Sequence, residues 1–266
     1  MTTSKYLNKY TTISNHLEKP DIDYRQYELI KLQNNLVALL IHDPATDKSA
    51  AALDVNVGAF NDPKNLPGLA HFCEHLLFMG TEKYPSENDY SSYLSKNSGS
   101  SNAFTAALHT NYYFEVSNQA FEGALDRFAQ FFISPLFNPS CKDREINAVD
   151  SENKKNLQND NWRLYQLSKS TTNPQHPYHG FSTGNKITLG EKPLADGLDV
   201  RDELLKFHDQ FYSANLMRLV VVSNEPLETT KDWVVEKFSS IVDKNVSKPI
   251  FDANPFDSIL IAHAWS

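Results

Sequence analysis

The chain has 266 residues, 40% of them hydrophobic, enough to bury one good core as a single large domain. Its 33 acidic and 25 basic side chains leave a formal charge of −8, which argues against a nucleic-acid partner and offers mild attraction to basic peptides. No stretch approaches the ~18 apolar residues of a membrane span, residues 1–20 lack the apolar block of a secretory signal, and two cysteines are too few for a disulfide framework, so a cytoplasmic protein with free thiols at Cys73 and Cys141 is expected.

In chain order, residues 1–20 read as a polar tail. The apolar runs 36–41 and 51–57 read as two strands paired across a polar turn at 43–47. Residues 69–79 read as a helix, with Pro67 in its first turn and Gly80 just past its last apolar residue. An amphipathic helix near 86–96 leads to a strand region over 104–116 and a helix around 120–134. Helical spacing then continues from Cys141 through Glu145, Glu152, Leu157, Trp162 and Tyr165 to Leu167, as one long helix. Residues 173–190, rich in Pro, Gly, Ser and Thr, read as a loop; 200–212 as a helix, 216–223 as a strand and 228–242 as a closing helix. This mixed order predicts an α+β fold, with helices packed on a largely antiparallel mixed sheet. The chain contains no internal repeat or low-complexity tract.

The helix at 69–79 is the most informative segment. Leu69, Ala70, Phe72, Cys73, Leu76, Leu77, Phe78 and Met79 surround it with apolar side chains, so it belongs in a core. Yet it carries His71, Glu74 and His75, and burying even a neutral polar group without a partner costs about 2–7 kcal/mol. The two histidines, four apart, stack on one helical face and can converge on one ion, with Glu74 on the same side. Two core histidines bonded to backbone carbonyls beside an ion-paired glutamate are the alternative. The pattern H-x-x-E-H is, however, the inverted motif of a class of zinc peptidases. A hydrolytic zinc site needs a third protein ligand and an open position for water. Glu145 and Glu152 lie two turns apart on one face of a later helix, and spacing alone does not choose between them. The remaining histidines, among them His109, His176, His179 and His208, form no second ligand-like cluster and read as structural or surface residues.

Residues 67–80, reading PGLAHFCEHLLFMG, resemble the pitrilysin (insulinase) family of zinc metallopeptidases. The likeness extends through 101–105, 109–114, 123–132, 147–152 and 201–216 and is nearly continuous from about residue 21 to about residue 250. The resemblance implies a pitrilysin-type N-terminal catalytic domain over 21–250. It implies Zn²⁺ held by His71, His75 and Glu152, Glu74 as general base, and Glu145 as an acidic residue supporting the ligands from beside them. Asn102 and Ala103 fall where the family pairs an edge strand with substrate backbone, and β-augmentation of this kind is tolerant of sequence. Cys73 is not a ligand in the resemblance, but its closeness to the metal suggests thiol sensitivity.

The function implied is a metalloendopeptidase, a hydrolase of short unfolded peptides such as peptide-hormone or pheromone precursors, working through a Glu-activated water. Family members close a chamber from two homologous halves, so a second homologous half or a second copy of this chain is an expected partner. Residues 251–266 diverge from the family's continuation as if truncated, and residues 221–226 lack the glycine–arginine pair usual there. The alternative reading is therefore a catalytically weak or inactive peptide-binding half that needs its partner.

Overall fold

The computed structural model describes residues 8–251 and 254–256. Seven strands form one sheet: β1 (Tyr10–Ser14), β2 (Gln26–Leu32), β3 (Val37–His42), β4 (Lys48–Val55), β5 (Ser100–Thr105), β6 (Thr110–Ser117) and β7 (Met217–Ser223). Eight α-helices accompany them: α1 (Leu69–Leu77), α2 (Asp89–Lys96), α3 (Phe121–Ile133), α4 (Lys142–Asn156), α5 (Asp160–Ser170), α6 (Lys192–Ala195), α7 (Val200–Phe211) and α8 (Leu227–Phe238). Strand order is β1-β2-β3-β7-β4-β6-β5. Only β3 with β7 is parallel, so the sheet is mixed and largely antiparallel, as the sequence predicted.

Alternation builds the core. Leu40, Val221, Ala51 and Phe114 are register partners across four adjacent strands, and all four are buried. Their neighbours Leu39, Val220 and Ala52 on the opposite face are half-buried. Helices α3 and α8 pack on the buried face, where Phe114 meets Phe121 and Phe128 at ring-centroid distances of 5.9 and 5.1 Å. Such aromatic pairs add stabilisation beyond their area alone.

Four expectations need correction. The strands at β3 and β4 do not pair with each other, because β7 inserts between them, parallel to one and antiparallel to the other. The segment read as a polar tail contains β1, an edge strand held by pairing with β2. The long helix is two helices: Asn159 accepts the amide of Asn161 and starts α5 afresh. Pro67 precedes α1 rather than opening it, since the N-cap is Gly68 at φ +95°. Most of the tail at 251–266 lies outside the described residues.

Candidate metal centre and peptide cleft

Helix α1 is short, yet seven of its nine residues are buried. Its N-terminus is held from a distance: Asp62 accepts the amides of Gly68 and Ala70, each at 2.7 Å, satisfying two of the donors a helix start leaves open. Burial of the Asp62 carboxyl pushes its pKa up to about 7 even against these two bonds. Gly68 and Gly184, both at positive φ, meet backbone to backbone; a Cβ on Gly68 would sit 2.2 Å from the Gly184 Cα. This close approach seats the loop before the turn at 187–191 directly against α1.

The seated loop presents the Thr183 carbonyl, to which His71 Nδ1 donates at 2.7 Å. His75 Nδ1 lies 3.4 Å from Glu145 Oε2. With both Nδ1 atoms engaged as donors, each neutral imidazole offers its Nε2 lone pair. Both Nε2 atoms face one carboxylate: His71 Nε2 is 3.5 Å from Glu152 Oε2, and His75 Nε2 is 3.7 Å from Glu152 Oε1. One donor atom from each of the three residues lies within 4.8 Å of the others. Two neutral imidazoles and a carboxylate, oriented from behind by a carbonyl and a second carboxylate, are the donor set that suits a catalytic zinc, so these residues fit the ion.

The metal-free electrostatics agree. Burial works against a charge on His75, but the Glu145 and Glu152 carboxylates that face its two ring nitrogens outweigh it and raise its pKa to about 9. The hydrogen bond to His75 draws Glu152 below its usual range. The cluster thus favours positive charge at its centre. Glu145 is buried and also lies 3.4 Å from Arg144 Nε, and Arg144 donates through Nη2 to Glu87 at 2.7 Å.

Glu74 is buried on the adjoining face of α1, with Oε2 accepting the Thr105 hydroxyl and Oε1 without a hydrogen bond among the described residues. Burial pushes its carboxyl up, with His71 and Thr105 opposing. Cys73, one residue earlier, is fully buried, and burial pushes its thiol up to about 12, which argues against the thiol sensitivity expected there.

His71, Glu74, His75 and Glu152 line one cleft of about 560 Å³. Strand β5 forms one wall, pairing with β6 on one side and, among the described residues, with no strand on the other; Asn102 and Ala103 border the cleft from it. Another part of the lining comes from α5 and the segment 177–183, with Trp162 and Tyr165 as its largest side chains. Spacing alone places these aromatics on a helix without assigning them a role. They are 46% and 41% exposed, and nothing in their spacing distinguishes a cleft wall from a buried stripe. The role of Thr183 also has no sequence signal, because it acts through its carbonyl.

Residues 37–175 match the insulinase family, peptidase family M16, and residues 199–259 match a family described as the peptidase M16 inactive domain. The chain belongs to peptidase family M16. It is 60% identical to the A-factor-processing enzyme of Saccharomyces cerevisiae over 252 residues, 94% of this chain and 24% of that protein. The human insulin-degrading enzyme is 57% identical over 244 residues, 92% of this chain and 24% of that one. A Schizosaccharomyces pombe M16 relative, 57% identical over 237 residues, carries the name zinc protease mug138. The crystal structure of pitrilysin superposes with a TM-score of 0.91 at 39% identity, covering 95% of this chain and 27% of that chain. The chain spans about a quarter of the length of the curated M16 relatives it matches.

Proposed function

We propose that this chain is the zinc-binding catalytic domain of a metalloendopeptidase that cleaves short, unfolded peptides. The observation that carries the proposal is the convergence of His71 Nε2, His75 Nε2 and the Glu152 carboxylate, each imidazole oriented by a bond at its other nitrogen. In this reading His71, His75 and Glu152 hold Zn²⁺, and Glu145 fixes the His75 ring. A bound zinc supplies positive charge that acidifies water and polarises a scissile carbonyl. Glu74 takes the proton from the attacking water at its Oε1 and delivers it to the departing amine, a role favoured by burial that lifts its basicity toward the working pH. Thr105 fixes the other oxygen and so aims the base. An extended peptide adds to the open edge of β5 at Asn102 and Ala103, where main-chain pairing selects for flexibility rather than sequence.

The names of the M16 relatives support peptides of hormone or pheromone-precursor size as substrates. Unpaired thiols at Cys73 and Cys141 support a cytoplasmic setting, and no described helix is long and apolar enough to cross a membrane. The test is cleavage of an internally quenched peptide by the purified chain. Cleavage that a chelator abolishes and added zinc restores is expected; cleavage indifferent to the chelator would overturn the proposal.

A second reading has its own support, the match of residues 199–259 to an inactive M16 domain and the quarter-length span. In this reading the chain binds peptide but needs a second homologous half, or a second copy of itself, for full turnover. Its mark would be zinc binding with feeble cleavage by the monomer and faster cleavage by a larger species on size-exclusion chromatography.

A further inference from the structure

Three lysines are buried among the described residues, and they are not alike. Lys231 donates to Glu28 at 2.9 Å and Glu228 at 2.8 Å, and Lys237 to Glu122 at 3.1 Å. Lys169 has no such partner: among the described residues no carboxylate oxygen lies within 4.0 Å of its ammonium. Its one hydrogen bond goes to the neutral Ser182 hydroxyl at 3.0 Å, and the rings of Tyr165 and Tyr178 lie 5.2 and 5.9 Å away. The acidic group that influences it, Asp62, already spends both oxygens on the α1 amides.

Position sharpens the anomaly. Lys169 is the one buried residue of α5, a helix otherwise open to solvent, and it lines the same cleft as β5. A lysine is almost never fully buried unless paired, and an ammonium with three donors and a single neutral acceptor lacks a counter-charge. Burial already pulls its pKa below the usual range, a cost that an arriving anion removes.

We propose that Lys169, with Ser182 beside it, anchors an anion subsite that takes a carboxylate of the bound peptide, whether an acidic side chain or the C-terminal carboxylate. The subsite runs against the protein's overall charge, so it confers local selectivity on a cleft whose β5 edge reads only backbone. This rests on the peptide-cleft reading but not on turnover.

The test is therefore a binding measurement on the chain carrying Glu74→Gln, so that peptides stay intact. Three otherwise identical fluorescent peptides are compared: one with an internal Glu and a C-terminal amide, one with Gln and the amide, and one with Gln and a free carboxylate. At least one carboxylate peptide is expected to bind about tenfold more tightly than the Gln amide, the size of one charge-assisted hydrogen bond. Which of the two does so identifies the source of the carboxylate. Adding Lys169→Met is expected to reduce the preference to within about twofold while Lys169→Arg retains it, with zinc content and melting temperature reporting the fold of each. Equal binding of all three peptides to the Glu74→Gln chain, or a preference that survives in Lys169→Met, would overturn the subsite, and so would no binding at all. Chelator-sensitive cleavage by the chain with Glu74 intact then tells whether the peptidase reading falls with it.

Discussion

Helix α1 and the pair α4–α5 line one cleft, with α4 packed on α1, but are built in opposite ways. In α1, polar atoms are exceptions in an apolar helix, with seven of nine residues buried and each polar side chain given a specific partner. In α4 and α5 the surroundings are polar or exposed: Glu152 is half exposed, and Leu164 and Leu167 face solvent. One helix carries rigidity and the other carries charge to the same point. In the proposed metal centre the imidazoles are preorganised by the core, while the carboxylate reaches them on a half-exposed side chain.

The contrast can be broken first at the proposed base. Glu74→Gln keeps the shape of the buried side chain but cannot take a proton, so turnover is expected to fall by about 10²–10⁴-fold with zinc content unchanged. Steady-state rates and metal analysis on the same preparation check it; zinc loss would mean that Glu74 serves the fold of the site rather than the chemistry. The packing difference comes next. Phe72→Ala in α1 is expected to cost about 3–5 kcal/mol of stability, whereas Leu164→Ala in α5 should stay within about 0.5 kcal/mol. Denaturant midpoints compare the two, and equal losses would erase the distinction between the helices.

Two smaller effects sharpen the comparison at the ligands. Glu145→Gln is expected to weaken zinc by about 10–100-fold, as removal of a group that orients a ligand does, and Glu152→Gln by more than that. Competition titration with a chromogenic chelator ranks them, and the reverse order would exchange their roles. The last effect is on pH. In the metal-free chain the His75 pKa is raised from 6.5 to about 9, so the stability it contributes is full below pH 6.5 and is lost as pH rises through about 9. Zinc must displace that proton. Its affinity is expected to rise about tenfold per pH unit up to about pH 9 and then level, with Glu145→Gln moving the plateau to lower pH.

The same contrast explains what could be read from sequence. His71, Glu74 and His75 were legible because polar groups at helical spacing in an apolar helix demand an explanation. Glu145 and Glu152 were ambiguous because both occupy one face of a polar helix. Only the packing of α4 on α1 separates the carboxylate that meets His75 Nδ1 from the one that meets both Nε2 atoms. The strand content of β3, β4 and β7 was plain from apolar runs, but their order was not, since the insertion of β7 depends on partners about 170 residues away in sequence. Strand β1 shows little apolar alternation, and its hydrogen bonds to β2 define it. The break between α4 and α5 had a local signal, the Asn159 cap, hidden by apolar spacing that continues across it.

The central claim is the location of the ion, and anomalous diffraction at the zinc absorption edge from crystals of the zinc-loaded chain tests it most directly. One peak is expected at about 2.0–2.2 Å from His71 Nε2, His75 Nε2 and a Glu152 oxygen, with no sulfur ligand. A peak away from these three residues, or none in a crystal grown with zinc at saturating concentration, would contradict it.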